Sequence, residues 1–179
     1  MTRPLKLAVQ LVALGCVAGL LALLVWRLTH QQHAPKVGSA APDFTLPRLA
    51  GSGTMSLRSL RGRPVVLNFW ASWCDPCKTE APALERAWAR YRGRGVVFVG
   101  VDYHDVTDDA RRFVAAHRLT FPMVQDGSGD VTGRYGITQV PETYILDRSG
   151  RIVSHLAGPI TAASFADAFR RGLAKALGS

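Results

Sequence analysis

The residues of this sequence best suited to chemistry are two cysteines, Cys74 and Cys77, separated by two residues. Two thiols at this spacing can close into a small disulfide ring and reopen, which exchanges two electrons with another thiol pair. The same spacing also occurs in half of a zinc site and in inert structural disulfides. The elements on either side of the pair favour one of these three interpretations.

The pair lies between a predicted strand and a predicted helix. Residues 65–69 form a β-branched and apolar run that is typical of a buried strand. Residues 78–91 carry apolar side chains at helical spacing, which predicts an amphipathic helix. Unpaired N–H groups and the helix dipole stabilise a thiolate at such a helix N-terminus. We therefore favour redox chemistry, with Cys74 as the attacking thiol and Cys77 as the more buried resolving thiol.

The N-terminal part of the chain is apolar. The apolar run begins at Leu7, ends at Trp26 and contains a single glutamine, so it is long enough to cross a bilayer as a helix. Most of the flanking basic residues precede it, which predicts a cytoplasmic leader and an exported remainder on the periplasmic side of the inner membrane. We expect a signal anchor over residues 1–27, a polar linker over residues 28–41 and a folded domain over residues 42–179.

Two alternatives for the N-terminus are less consistent with the sequence. A cleavable signal peptide has a shorter apolar core and a small-x-small cleavage site. The apolar run here is too long, and Trp26-Arg27-Leu28 is a poor cleavage site. Lipidation of Cys16 would require the apolar run to end at that residue, whereas it continues to Trp26. We interpret Cys16 as a small apolar residue of the membrane helix.

The chain is basic, with a formal net charge of +9. Its arginines fall mainly on predicted helices without interleaved aromatic residues, so we expect solvated helix faces and no nucleic-acid partner. Such a surface could lie near anionic lipid headgroups. His117 and His155 have no partner at metal-ligand spacing, and we expect neither a metal site nor a cofactor.

The order of elements predicts an α/β fold. After a short hairpin near residues 42–57, strands and helices alternate and a second hairpin precedes a closing helix. This order predicts a mixed sheet covered by helices on both faces. The predicted strands are residues 65–69, 96–101, 121–124, 143–146 and 151–154, and the predicted helical segments are residues 78–91, 105–117, 130–135 and 161–177.

Three motifs in this frame resemble the thioredoxin superfamily over roughly residues 40–177. They are Phe69-Trp70-Ala71-Ser72-Trp73-Cys74-Asp75-Pro76-Cys77, then Pro82 in the following helix, and Val140-Pro141 before a strand. The resemblance implies a thioredoxin fold and a Cys74–Cys77 redox disulfide. It also implies that Pro141 is a cis-proline beside the pair, which exposes the backbone of Val140 to a partner peptide.

A narrower resemblance is to the membrane-tethered reductases of the TlpA and DsbE (CcmG) type. It rests on the anchor, on an extra helix and strand after Val101, and on the segment Pro141-Glu142-Thr143-Tyr144. It implies that the partners are disulfide-bearing exported proteins such as apocytochrome c, together with a membrane thiol donor of electrons. Thr138-Gln139-Val140 departs from the DsbE pattern. Copper-centre assembly and other exported partners therefore stay open.

Carboxylates near the pair indicate the direction of electron flow. Glu80 follows Cys77 by three residues on the same side of the helix, Asp75 lies between the cysteines, and Glu142 follows Pro141. Negative charge near a thiolate raises its pKa, which suits a reductant better than an oxidant. Glu80 could also move protons during exchange. Its alternative role is a surface carboxylate that pairs with a basic residue of the same helix.

Other residues of the motif are expected to shape the contact surface. Trp73 and Pro76, together with Asp75, flank the cysteines and form the predicted surface for a partner. Peroxide reduction is less consistent with the sequence, because peroxiredoxins place a threonine three residues before the reactive cysteine, where Ala71 stands here. A tethered copper-binding chaperone is the non-enzymatic alternative. Related copper chaperones use a wider cysteine spacing and a histidine.

Overall fold

A computed structural model describes residues 3–29, 34–160 and 163–178, and the contacts divide the chain into two units, Met1–Gln32 and His33–Ser179. The described residues of the first unit form one helix, α1 (Arg3–Thr29), whose described apolar side chains are exposed. Within the described residues, no helix meets the combined length and apolarity that a membrane crossing requires. The predicted transmembrane helix is therefore not confirmed.

All of the strands among the described residues lie in the second unit. They are β1 (Thr45–Pro47), β2 (Thr54–Ser56), β3 (Val65–Trp70), β4 (Val97–Tyr103), β5 (Met123–Asp126), β6 (Glu142–Leu146) and β7 (Ile152–Ala157). Its helices are α2 (Asp75–Tyr91), α3 (Thr107–Ala116), α4 (Asp130–Arg134) and α5 (Ala163–Leu177), with 3-10 turns at Leu57–Leu60 and Arg92–Arg94. The predicted elements are present, with shifted boundaries.

A mixed five-stranded sheet in the order β5-β4-β3-β6-β7 forms the centre of this unit. Strand β3 runs parallel to β4 and antiparallel to β6, while β5 is parallel to β4 and β7 is antiparallel to β6. All six residues of β3 are buried because both faces of the sheet are covered, which explains its continuous apolar run. The mixed sheet predicted from the sequence is confirmed.

Each face of the sheet packs against its own core. On one face, side chains of α2, α3 and α5 pack against residues such as Val66, Trp70 and Ile145. On the other face, α4 and the β1–β2 hairpin pack against residues such as Phe69 and Tyr144. The hairpin lies at the β5 edge, where Arg48 bridges Val124, so its predicted position is confirmed.

The last residues of the predicted linker are fixed to the folded unit. The backbone N–H of Gly38 donates to Ile152 O at 2.7 Å, and Ile152 N–H donates to Ser39 O at 2.9 Å. The N–H of Ala41 donates to Gly150 O at 3.0 Å. These bonds pair residues 38–41 with the turn and the first residue of β7.

Candidate active site

The two cysteines lie where β3 passes into α2. Cys74 occupies the N-cap position of α2, and its Sγ accepts the N–H of Cys77 at 3.1 Å. The helix begins at Asp75, three residues before the predicted start, because Pro76 suits the first turn and Cys74 serves as the cap. A disulfide bond joins Cys74 and Cys77. Their exposures of 4% and 2% differ little, so position on the helix distinguishes them better than burial.

The segment before β6 faces the disulfide. The Val140–Pro141 peptide bond is cis, as the resemblance implied, and Cys74 Sγ lies 3.4 Å from the carbonyl oxygen of Val140. Strand pairing explains this placement, because Phe69 near the end of β3 is opposite Glu142 at the start of antiparallel β6. The chain that leaves β3 therefore meets the chain that enters β6.

Glu80 is fully buried one turn after Cys77. Its Oε1 accepts a hydrogen bond from Asn68 Nδ2 at 2.8 Å, and its Oε2 accepts the N–H of Ile160 at 3.0 Å. Burial raises the pKa of Glu80 to about 7, although the hydrogen bonds from Ile160 and Asn68 oppose the shift. The alternative of a surface carboxylate is wrong for this side chain. A carboxyl group that titrates near neutrality can accept or donate a proton during thiol exchange.

Asp75 is an exposed residue beside the disulfide. Its Oδ1 lies 2.6 Å from Lys78 Nζ, and the hydrogen bond and charge of Lys78 lower the pKa of Asp75. The ammonium group offsets the negative charge of Asp75. The expected effect of that carboxylate on the Cys74 thiolate is therefore weaker than the sequence suggested.

Glu142 is paired with a histidine. Its Oε2 lies 2.6 Å from His155 Nε2, and the imidazole stacks on Tyr144 with ring centroids 4.1 Å apart. Glu142 shares its face of β6 with Tyr144, which packs in the core opposite α2. The Glu142 side chain therefore lies on the other side of the sheet from Glu80. The pairing of Glu142 with His155 was not predicted from the sequence. The β6–β7 hairpin was predicted, and its register places His155 opposite Tyr144, two residues from Glu142.

The surroundings of the disulfide are partly apolar. Trp73 is 58% exposed and directly precedes Cys74, and Pro76 is also exposed. Trp70, by contrast, is buried and stacks on Phe113 with ring centroids 4.5 Å apart. Trp73 and Pro76 thus provide accessible apolar surface beside the sulfurs, whereas Trp70 is a core residue.

The AhpC/TSA family profile matches residues 37–155. The chain belongs to the AhpC/TSA family. Several relatives carry the name thiol-disulfide oxidoreductase ResA. The protein of Oceanobacillus iheyensis is 35% identical over 148 residues, which cover 81% of this chain and 77% of the relative. The protein of Geobacillus thermodenitrificans is 34% identical over 131 residues, 73% of this chain and 75% of the relative.

Solved structures of disulfide-exchanging proteins are also similar to this chain. A candidate thiol:disulfide interchange protein DsbE from Chlorobium tepidum superposes with a TM-score of 0.74 at 31% identity, covering 81% of this chain and all of that structure. A secreted Mycobacterium tuberculosis disulfide oxidoreductase homologous to E. coli DsbE superposes with a TM-score of 0.64 at 30% identity. The match covers 73% of this chain and 95% of that structure. The predicted thioredoxin-superfamily membership is confirmed. The protein is a thiol:disulfide oxidoreductase of the DsbE and ResA type.

Proposed function

We propose that the protein is a membrane-anchored reductase of disulfides in exported proteins, with apocytochrome c as the first candidate substrate. The observation that carries the direction of electron flow is the buried carboxyl group of Glu80, one turn from Cys77. A carboxylate at this place disfavours a neighbouring thiolate. A dithiol whose thiolate is poorly stabilised gives up its electrons more readily than one whose thiolate is stable.

The proposed reaction has two exchange steps. The Cys74 thiolate attacks one sulfur of the partner disulfide, which forms a mixed disulfide and releases the first partner thiolate. Cys77 then loses its proton and attacks Cys74 Sγ, which releases the second partner thiolate and leaves the Cys74–Cys77 disulfide. Two electrons pass to the partner, and two protons convert its sulfurs to thiols. Glu80 is the proposed acceptor of the Cys77 proton.

Residues around the sulfurs are suited to hold the partner. The carbonyl oxygen of Val140 lies beside Cys74 Sγ and can accept a backbone N–H of an extended peptide. Trp73 and Pro76 offer apolar surface for the side chains that flank the partner cysteine. The roles of Pro141 and Glu142 in partner binding stay predictions.

The equilibrium reduction potential of the Cys74/Cys77 couple tests the direction of electron flow. For the full chain in detergent micelles, equilibrated against thiol–disulfide buffers, we expect a value below about −200 mV, toward the thioredoxin end of the range. The physical reason is the carboxylate near the pair, which destabilises the reduced thiolate. A value near about −120 mV, at the DsbA end, would identify a disulfide donor and contradict a reductant role.

A membrane anchor is part of this proposal, because a reductase outside the cytoplasm needs its electrons from a membrane donor. The apolar run between Leu7 and Trp26 supports it. We expect the full chain to stay in the membrane fraction after carbonate extraction. Replacing Leu14 and Leu21 together with arginine should release it, because a charge costs about 3 kcal/mol per residue at the centre of a bilayer helix. The control replaces both residues with isoleucine. A wild-type protein found in the supernatant would disprove the anchor.

A further inference from the structure

The loop that carries Trp73 and Cys74 is held by one carboxylate. Asp105 Oδ2 accepts the backbone N–H of Ser72 at 2.6 Å, and Asp105 Oδ1 accepts the Ser72 hydroxyl at 2.9 Å. Parallel pairing of β3 and β4 brings these residues together, because both segments leave the same edge of the sheet. Asp105 Oδ1 also accepts the N–H of Val106 at 2.9 Å, so this carboxylate joins the loop to the residue before α3. The position of the loop therefore depends on how the Asp105 carboxylate is oriented.

A second, fully buried carboxyl group lies close to Asp105. Asp102 on β4 has no exposed surface, and its Oδ2 accepts Gln125 Nε2 at 3.1 Å. Its Oδ1 is buried, and no donor among the described residues reaches it. Asp102 and Asp105 share the amide of Gln125, because Gln125 Nε2 also donates to the backbone oxygen of Asp105 at 3.3 Å. The Asp105 side chain is also a hydrogen-bonding neighbour that raises the pKa of Asp102. Two carboxyl groups can hydrogen bond only when a proton lies between them. A proton on Asp102 Oδ1 would give this buried oxygen a partner and would join it to the carboxylate of Asp105.

The charges around Asp102 favour that proton. Asp105 and Asp126 are the charged groups that act on it, and within the part of the chain that the structure describes neither is joined by a cation. Asp126 is itself buried on β5, where its Oδ2 accepts the N–H and hydroxyl of Thr132. Burial and these two carboxylates raise the pKa of Asp102 to about 7, against the opposing hydrogen bond from Gln125.

We infer that Asp102 is a positioning residue for the redox site: its protonated carboxyl group donates a hydrogen bond to Asp105, which orients Asp105 toward Ser72 and so fixes the loop that carries Trp73 and Cys74. Loss of the proton places two carboxylates side by side. Their repulsion turns Asp105 away from Ser72 and loosens the loop. The effect on disulfide reduction rests on the proposed function, whereas the hydrogen-bonded pair does not.

The backbone amide of Ser72 reports on this pair directly. In the oxidised full chain in micelles, its amide proton and nitrogen shifts, followed by NMR from pH 5.5 to 8.5, are expected to titrate with a midpoint near 7. In Asp102→Asn the titration is expected to disappear, because asparagine can donate to Asp105 and accept from Gln125 but cannot ionise. A Ser72 titration that is absent from the wild type, or unchanged in Asp102→Asn, would overturn the inference.

Two further variants separate this pair from its neighbours. Glu80→Gln removes a second buried acid whose pKa is raised to about 7, and the Ser72 titration should persist in it. Asp126→Asn removes one of the two charges that act on Asp102, so the Ser72 midpoint should fall below the wild-type value without disappearing. Loss of the titration in Glu80→Gln, or an unmoved midpoint in Asp126→Asn, would count against the pair.

The Asp102→Asn substitution is also expected to change how the rate of disulfide reduction depends on pH. The ratio of the reduction rate of Asp102→Asn to that of the wild type is expected to rise between pH 6 and pH 8.5 by roughly tenfold, the factor equivalent to one hydrogen bond to a charged group. A ratio that does not change with pH would show that the pair does not position the reacting groups. If the protein reduces no disulfide at all, the proposed function fails while the Ser72 titration still tests the pair.

Discussion

Serine at position 74 is expected to abolish the reduction of protein disulfides, whereas serine at position 77 should preserve the first step and trap the partner. Cys74 occupies the N-cap of α2 beside the carbonyl oxygen of Val140, where an approaching peptide can lie. A serine hydroxyl cannot form a disulfide, so Cys74→Ser should lose at least about three orders of magnitude in rate. In Cys77→Ser the second thiol of the pair is missing, so the mixed disulfide on Cys74 should accumulate.

The measurement is insulin reduction for turnover, together with isolation of mixed disulfides by non-reducing electrophoresis and mass spectrometry. Cys16 supplies a matched control, because it is a free cysteine on α1, away from the disulfide in sequence. Cys16→Ser should reduce disulfides at the wild-type rate. Mixed disulfides that accumulate on Cys74→Ser instead of Cys77→Ser would reverse the proposed order of attack. The proteins trapped on Cys77→Ser would also show whether cytochrome or copper-centre polypeptides are the substrates.

Glutamine at position 80 is expected to remove a large pH-dependent part of the stability. The pKa of Glu80 rises from 4.5 to about 7 on folding. Between these two pH values the folded protein keeps a proton that the unfolded chain has lost. The favourable contribution is complete below about pH 4.5 and is lost as the pH rises to about 7. One pKa unit corresponds to 1.36 kcal/mol, so the change is on the order of 3 kcal/mol.

Glutamine reproduces the protonated state of Glu80. Either side chain can accept the N–H of Ile160 with one atom and donate to a flipped Asn68 amide with the other. We expect urea unfolding of the oxidised protein at pH 4 and pH 8 to show that the free energy of unfolding of Glu80→Gln increases relative to that of the wild type as the pH rises. Glu85→Gln is the matched control on the same helix, where Glu85 accepts hydrogen bonds from the exposed Thr120. A difference between Glu80→Gln and the wild type that is the same at both pH values would contradict the buried-acid assignment.

The same substitution is expected to slow catalysis. General-base assistance contributes about two to four orders of magnitude, so resolution of the mixed disulfide by Cys77 should slow by at least about a hundredfold in Glu80→Gln at pH 7. Stopped-flow measurement of the second exchange step separates this effect from the attack by Cys74. A wild-type rate of resolution would leave Glu80 as a structural residue only.

Local patterns in the sequence were sufficient to predict the fold and the redox pair. The apolar run of β3 and the amphipathic spacing of α2 are short-range signals, and the cysteines lie between them. The motif from Phe69 to Cys77 and the Val140–Pro141 dipeptide then indicated the thioredoxin superfamily. Element boundaries were less accurate, because they depend on caps. Helix α3 begins at Thr107 instead of Asp105, because its N-cap residue Val106 has an extended backbone. Asp105 lies before the helix, where its carboxylate accepts the N–H of Ser72.

Only the tertiary structure decided how the carboxyl groups around the site behave. Glu80 is buried, and its carboxyl group accepts the N–H of Ile160, which lies eighty residues later in the sequence. Glu142 acquired His155 as a partner through the register of two strands, and Asp105 reached Ser72 through the parallel pairing of β3 and β4. Burial and hydrogen bonding set the pKa of a carboxyl group, and both depend on residues that are distant in sequence. The sequence by itself therefore determined the reacting sulfurs, while the packing of the sheet determined the groups that handle their protons and hold their loop.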